Sequence, residues 1–154
     1  MKKLMVILIV TGAITTSCKE KAQLSPEASV KTPIIGTWKL LKGTLIEKGD
    51  TVITDYTKDK SFIKIINDSH FAFLQHGITK GVDSSFSAGG GTYTLKGDSY
   101  TEHLEYCYAR EWEGNDFTFT VTISGDTLIQ SGVEKIEAQG IDRINIEKYI
   151  RYKE

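Results

Sequence analysis

Hydrophobic and polar residues alternate with a period of two along most of the chain after Pro33. In the clearest segment, DFTFTVTIS at positions 116–124, apolar side chains occupy every second position and threonine or serine mostly occupies the others. Since successive side chains of a strand point to opposite faces, this pattern predicts a strand with one buried and one solvated side. The same reasoning predicts further strands at Thr37–Ile46, Phe62–Ile66, Phe71–His76, Gly91–Lys96, Tyr100–Trp112, Thr127–Gly132 and Arg143–Tyr152.

Short turn sequences separate these segments. Lys48-Gly49-Asp50, Lys96-Gly97-Asp98 and Ser124-Gly125-Asp126 each combine a glycine, which adopts positive φ easily, with an aspartate that can bond its own backbone. Strands joined by such short turns are antiparallel neighbours. Only Val133–Gly140 has a mildly helical pattern, with Gly140 as its end.

The predicted fold class is therefore all-β, a single antiparallel up-and-down barrel of about eight strands. Closure removes the two exposed edges that a sequential antiparallel sheet would otherwise present. An eight-stranded barrel can enclose one small ligand. A two-sheet sandwich uses the same strands and remains the alternative.

The N-terminal segment has the features of an export signal. Two lysines precede an apolar run from Leu4 to Val10, which is too short to span a membrane, and small residues and Cys18 follow. The Ser17-Cys18 junction resembles the lipobox of bacterial lipoproteins, in which the cysteine is lipidated. The resemblance implies a signal peptide at 1–17, a polar tether at 18–32 and a folded domain at 33–154. Lys19 after the cysteine favours the outer membrane.

Composition narrows the functional classes. The chain has 154 residues and a net charge of −1 at pH 7, without the cluster of lysine and arginine that nucleic-acid binding requires. We therefore expect no nucleic-acid partner. If Cys18 is lipidated, Cys107 has no partner for a disulfide, and a buried free thiol is the expected state.

The folded part opens with Ile34-Ile35-Gly36-Thr37-Trp38, and this Gly-x-Trp resembles the first-strand motif of lipocalins and related calycins. The segments FIKIINDSHFAF and SAGGGTYTL extend the similarity to lipocalin-like domains of bacterial envelope lipoproteins. The resemblance implies that Gly36 and Trp38 belong to a plug at the closed end of the barrel. It also implies that a basic side chain covers the tryptophan, with Arg151 favoured over Arg143.

The most reactive stretch is 102–113, EHLEYCYAREWE, which we interpret as a strand. Alternation places Glu102 and the aromatic residues on one face, which we expect to line the barrel. A bulge between Tyr106 and Arg110 could instead turn Cys107 inward. The predicted ligand-binding residues are Tyr93, Tyr106, Tyr108, Arg110, Trp112, Phe117 and Phe119, with Phe71 and Phe73 as further lining. In the alternative arrangement the aromatic side chains fill the core and Arg110 pairs with Glu102 at the rim.

Other chemistries have weaker support. His70 and His76 lie about 20 Å apart on a strand, and His103 with Glu105 lacks a third ligand, so we expect no metal site. The glutamates of 102–113, Asp83-Ser84-Ser85 and the glycines of 87–91 form no recognised catalytic motif. We expect no catalytic residue and no cofactor. The predicted function is binding of a small, partly apolar ligand, and the alternative is a structural or protein-interaction module with a solid barrel.

Overall fold

The protein is seen here in a computed structural model that describes residues 33–81 and 85–153. The proposed signal peptide, the tether and Cys18 lie outside the described residues. In the described part the chain forms nine strands and two short 3-10 helices, Arg110–Trp112 and Glu137–Gln139. The strands are β1 (Gly36–Glu47), β2 (Asp50–Asp55), β3 (Lys60–Ile66), β4 (His70–Gly77), β5 (Phe86–Lys96), β6 (Ser99–Cys107), β7 (Asp116–Ser124), β8 (Thr127–Ile136) and β9 (Ile141–Arg151).

The sheet closes on itself through its first strand. Strands β3 to β9 pair antiparallel in sequence order, and β1 pairs with both β3 and β9. Trp38 of β1 is opposite Lys64 on one side and Arg151 on the other. The prediction of an all-β antiparallel barrel is confirmed. Closure of the sheet through β1 excludes the alternative, a two-sheet sandwich.

Strand β2 was not predicted from the sequence. It pairs with Lys42–Glu47 of β1, on the side where the earlier residues Gly36–Lys39 pair with β3. Lys48 and Gly49 form the hairpin turn with φ of 51° and 90°, which suits the twist of an antiparallel pair. Val52 and Ile53 are both exposed, so β2 lacks the buried face by which the other strands were recognised.

The alternation in β7 is confirmed. Phe117, Phe119 and Val121 are buried, whereas the intervening threonines are exposed. The side chains of β7 therefore contribute to one core that is shared by all strands of the ring, and the core also includes Leu40 and Leu128.

A bulge between β5 and β6 changes which side chains face inward. Gly91 is opposite Leu104 but Gly90 is opposite Tyr106, so Glu105 is the extra residue. Leu104 is buried, yet after the bulge Cys107 turns inward and Tyr106 turns outward. The expectation that Tyr106 and Tyr108 line the barrel is therefore wrong.

Two further boundaries differ from the prediction. Strand β6 ends at Cys107 rather than continuing to Trp112, because residues Arg110–Trp112 form a 3-10 turn. The segment predicted as helical, Val133–Gly140, is mostly strand: β8 continues to Ile136, and only Glu137–Gln139 turn before Gly140 at φ 65°. Residues Val133–Ile136 pair with β9, so their backbone hydrogen bonds are made between strands and not within a helix.

Trp38 closes one end of the barrel. Its side chain is 0% exposed and its indole Nε1 donates a hydrogen bond to the Ile34 carbonyl at 2.7 Å. The Arg151 guanidinium lies 4.1 Å from the ring centroid and donates to the carbonyls of Ile35 and Pro33 at 3.0 and 2.6 Å. A side chain at Gly36 would place its Cβ 2.6 Å from the Arg151 Nη1 atom. Glycine at this position thus leaves room for the arginine that covers the tryptophan.

The strands, the core and the plug all lie within the compact unit Lys31–Glu154. Within the described ranges 33–81 and 85–153, no helix is both long and apolar enough to cross a membrane.

Candidate ligand cavity

A cavity of about 270 Å³ lies inside the barrel, toward the end opposite Trp38. Tyr56 after β2, Trp112 after β6 and Arg143 near the start of β9 line it, and all three keep partial exposure. Arg143 packs against Trp112 near the start of β9, and Arg151, which covers Trp38, lies at the other end of the same strand. The barrel therefore has one plugged end and one end at which its interior communicates with solvent.

One wall of the cavity is apolar. Leu45 of β1, Phe62 of β3 and Phe73 of β4 contribute to it, and the rings of Phe62 and Phe73 stack with centroids 5.6 Å apart. Phe117 and Phe119 of β7 lie on the same lining. Aromatic side chains from three strands thus give the cavity apolar surface suited to an apolar group.

The floor of the cavity contains a buried lysine. Lys64 is 2% exposed because its position in β3 shares the inner face with Phe62 and Ile66. Its ammonium donates to Glu102 Oε1 at 2.5 Å and to Gln130 Oε1 at 3.0 Å. The same ammonium lies 5.6–5.8 Å from three aromatic ring centroids, those of Phe71, Tyr100 and Tyr149. Pairing and ring contacts together compensate the loss of hydration of this cation.

A second charged pair lies nearer the open end. Arg143 Nε donates to Glu134 Oε2 at 2.7 Å, and Asn145 Nδ2 donates to the other oxygen of Glu134 at 2.7 Å. Glu134 and Arg143 are direct cross-strand neighbours of β8 and β9. The Arg143 guanidinium also lies 5.0 Å from the ring centroid of Trp112. Arg143, the second candidate for the plug, therefore belongs to the cavity instead.

Glu147 is the third carboxylate of the interior. It lines the cavity and is half-buried, and its Oε2 accepts a hydrogen bond of 2.7 Å from the Tyr149 hydroxyl. Burial raises the pKa of Glu147, and the neighbouring carboxylates of Glu102 and Glu134 act in the same direction, against Lys64 and the Tyr149 hydrogen bond. Burial followed by the charge of Glu147 also raises the pKa of Tyr149. Each cation of the lining already has a carboxylate, so Glu147 has none of its own among the described residues.

The sequence-predicted site residues separate into two groups. Trp112, Phe117 and Phe119 line the cavity. Tyr106 and Tyr108 are 68% and 72% exposed on the outside of the barrel. Their side chains follow the bulge at Glu105, which reverses the faces that strict alternation had assigned.

Arg110 and Tyr93 also lie away from the cavity. The Arg110 side chain is 82% exposed, and its Nε donates to Glu113 Oε2 at 2.8 Å rather than to Glu102. The prediction that Arg110 binds a ligand inside the barrel is therefore wrong, and so is its pairing with Glu102 in the alternative arrangement, because Glu102 is buried against Lys64. Tyr93 packs against Tyr100 with ring centroids 5.2 Å apart, and its hydroxyl donates to the Asn67 carbonyl.

Cys107 lines the cavity and is partly buried, and burial raises the pKa of its thiol. This effect opposes formation of the reactive thiolate. The inward position follows from the bulge at Glu105, which lies one residue before the range from Tyr106 to Arg110 in which the sequence allowed one.

The residues considered for metal binding and hydrolysis are dispersed. His103 Nδ1 pairs with Asp116 on the outer surface, and Glu105 accepts a hydrogen bond from Thr92. Within 33–81 and 85–153, no three histidine, cysteine or acidic side chains are grouped closely enough to hold a metal ion. Asp83 and Ser84 lie outside the described residues.

No protein-family model matches the chain, and no curated protein is significantly similar to it. The similarity to lipocalins thus rests on the closed antiparallel barrel and on the Gly36-Thr37-Trp38 end with its covering arginine.

The residues that sequence reasoning missed are mainly polar residues of the interior: Lys64, Gln130, Glu134, Arg143 as a lining residue, Asn145 and Glu147. A partial signal exists in the sequence. Lys64 shares a strand face with Phe62 and Ile66, and Glu147 shares one with Tyr149 and Arg151. A charged residue on the apolar face of a strand could therefore have identified the cavity.

Proposed function

We propose that this protein is an exported lipoprotein that binds a small, partly apolar ligand in the cell envelope, without catalysing its conversion. The barrel would be anchored through a lipid on Cys18, in the outer membrane. The observation that carries the binding function is the cavity of about 270 Å³, which is lined by apolar aromatic side chains together with hydrogen-bonding side chains. Ligand sites commonly combine these two kinds of surface, and pockets for drug-sized molecules span roughly 300–1,000 Å³, so a small ligand fits best.

The non-catalytic part of the proposal rests on how the interior charges are used. Lys64 and Arg143 each donate to a carboxylate, and Gln130 and Asn145 satisfy these pairs further. Such pairs hold their side chains in place, so both cations of the described lining are already engaged by a carboxylate. The alternative, a solid structural barrel, would require side chains to fill the interior, and the cavity counts against it.

We expect Trp112→Ala to weaken binding of any cavity ligand by about tenfold or more, because a buried aromatic contact contributes on the order of 1.5 kcal/mol or above. Tyr108→Ala is the matched control, since Tyr108 lies four positions earlier but outside the barrel. Residues 31–154, which contain the whole barrel, would be tested by native mass spectrometry of the isolated protein and by thermal shift with small amphiphiles. Equal affinities for the two variants would contradict binding in the cavity. If no amphiphile shifts the wild-type melting temperature and no adduct is found, the solid-barrel function is favoured.

Anchoring at Cys18 has an independent test. Cys18→Ser in the full chain should move the protein from the membrane fraction to the soluble fraction and abolish incorporation of labelled fatty acid. Cys107→Ser serves as the control, because the Cys107 side chain points into the barrel. Unchanged membrane association of Cys18→Ser would overturn the lipoprotein assignment without affecting the cavity.

A further inference from the structure

The two cations of the cavity are already neutralised, and this determines the charge that a ligand meets. Lys64 pairs with Glu102 and Arg143 pairs with Glu134 at distances of 2.5 and 2.7 Å. Glu147 is the remaining ionisable carboxylate of the lining and accepts one hydrogen bond, from the Tyr149 hydroxyl to Oε2. When Glu147 is ionised, the described lining has an excess of one negative charge.

The strands beside Glu147 do not supply a counter-ion. Its partner in β1 is Gly43, which has no side chain, and its partner in β8 is Gln130, whose amide oxygen already accepts a hydrogen bond from Lys64. The ring of Tyr56 lies over Gly43, 3.1 Å from where a Cβ would be. The neighbouring strand positions therefore place a backbone and an aromatic ring beside Glu147, and the cation that acts on it, Lys64, is already paired with Glu102.

The cavity combines polar and apolar side chains. Glu134, Asn145 and Glu147 belong to β8 and β9, whereas Leu45, Phe62 and Phe73 belong to β1, β3 and β4. A ligand with one cationic end and one apolar end could contact both kinds of side chain. An ammonium group beside Glu147 would supply the charge-assisted hydrogen bonds that this carboxylate lacks.

We propose that the ligand is a small organic amine with an apolar body, whose ammonium group binds the Glu147 carboxylate inside the barrel. This inference rests on the proposed ligand-binding function and specifies its ligand class. The apolar body lies against Phe62 and Phe73, and the ammonium group replaces the missing counter-ion of Glu147.

The proposal also determines how binding depends on pH. The charged or titratable groups that act on Glu147 are Lys64 from β3, Glu102 from β6, Glu134 from β8, and Tyr149 from β9, with Tyr56 nearby. Because burial and the two carboxylates raise the pKa of Glu147, part of its charge is lost as pH falls toward acidic values. Affinity for an amine that stays protonated over the tested pH range should therefore increase as pH rises and Glu147 ionises.

The test compares hexylamine, hexanol and hexanoate, which have the same apolar chain and differ in the charge of the head group. Binding to residues 31–154 would be measured by titration calorimetry at several pH values between 5 and 8. We expect hexylamine to bind most tightly, by roughly tenfold or more over hexanol, as a hydrogen bond to a charged group implies. Its affinity should rise with pH.

Glu147→Gln is the decisive variant, because glutamine keeps the size of the side chain and removes the charge. It should abolish the preference for hexylamine and its pH dependence while leaving the affinity for hexanol unchanged. Glu105→Gln, on the outer side of the barrel, is the control and should behave as wild type.

The remaining outcomes each contradict a defined statement. Tighter binding of hexanoate would overturn the amine and indicate Arg143 as the anchor. Equal binding of the three compounds would leave an apolar site without charge recognition and also overturn the amine. If none of the three binds, while the isolated protein still carries an adduct that depends on Trp112, the amine class fails and the ligand-binding function stands. If none of the three compounds binds and no Trp112-dependent adduct is found, both the ligand-binding function and the amine ligand are wrong.

Discussion

Replacing Trp38 with alanine should lower the free energy of unfolding by about 3–5 kcal/mol, as truncation of a large core side chain does. Trp38 is fully buried, and its loss would leave an empty volume at the closed end of the barrel. The change would also remove the hydrogen bond to Ile34 and the ring that the Arg151 guanidinium covers. Urea denaturation of residues 31–154 measures the effect directly.

Two controls separate these contributions. Trp38→Phe keeps an aromatic ring below Arg151 but removes the indole Nε1 donor, so we expect a smaller loss than for alanine. Tyr108→Ala removes an exposed aromatic side chain and should change stability by about 0.5 kcal/mol or less. A loss below about 1 kcal/mol for Trp38→Ala would mean that Trp38 is not the plug of the barrel.

Lys64→Met is expected to cost about 3–5 kcal/mol of stability, because it leaves the Glu102 carboxylate buried without its cation. Methionine has a similar length and remains compatible with the surrounding rings of Phe71, Tyr100 and Tyr149. The loss therefore reports the unpaired charge rather than a cavity. Equilibrium unfolding in urea at neutral pH measures it.

The double variant Lys64→Met/Glu102→Gln tests this explanation. Removing both charges should restore most of the lost stability, since a buried pair replaced on both sides is often close to neutral. Arg110→Met breaks the exposed pair with Glu113 and is the matched surface control, with an expected change of about 0.5 kcal/mol or less. Equal losses for Lys64→Met and Arg110→Met would contradict the buried pair.

These variants also relate stability to the proposed function. A barrel that served only as a structural unit could fill its interior with apolar side chains at no cost in desolvation. Here the interior contains two charged pairs and a third carboxylate, each of which loses hydration on folding. The arrangement is understandable if these side chains position and recognise a polar group inside the cavity.

Much of the fold could be predicted from local patterns. Strict alternation identified β7, and the Gly-Asp turns identified hairpins such as the one at Gly125. Both signals are local, because side-chain direction in a strand and positive φ in a turn depend on neighbouring residues. Strand β2 escaped prediction because its apolar residues Val52 and Ile53 are exposed, so it has no buried face to detect.

The candidate site could be predicted only in part. Trp112, Phe117 and Phe119 were expected in the lining and lie there, whereas Tyr106, Tyr108 and Arg110 were expected there and lie outside. One extra residue at Glu105 accounts for the two tyrosines, since a shift of one position exchanges the faces of a strand. The glycines of β5 permit this bulge, but nothing in their local sequence fixes its position.

The sequence by itself determined the all-β class and the antiparallel order of the main strands, and its resemblance to lipocalins indicated the Gly36–Trp38 end of the barrel. Only the tertiary structure decided the contents of the cavity. Lys64, Glu102 and Gln130 lie on three different strands, 38 and 66 residues apart along the chain from Lys64, and they meet because the sheet closes. A local pattern can show that such a side chain faces inward, but its partner depends on closure and register, which are properties of the whole barrel.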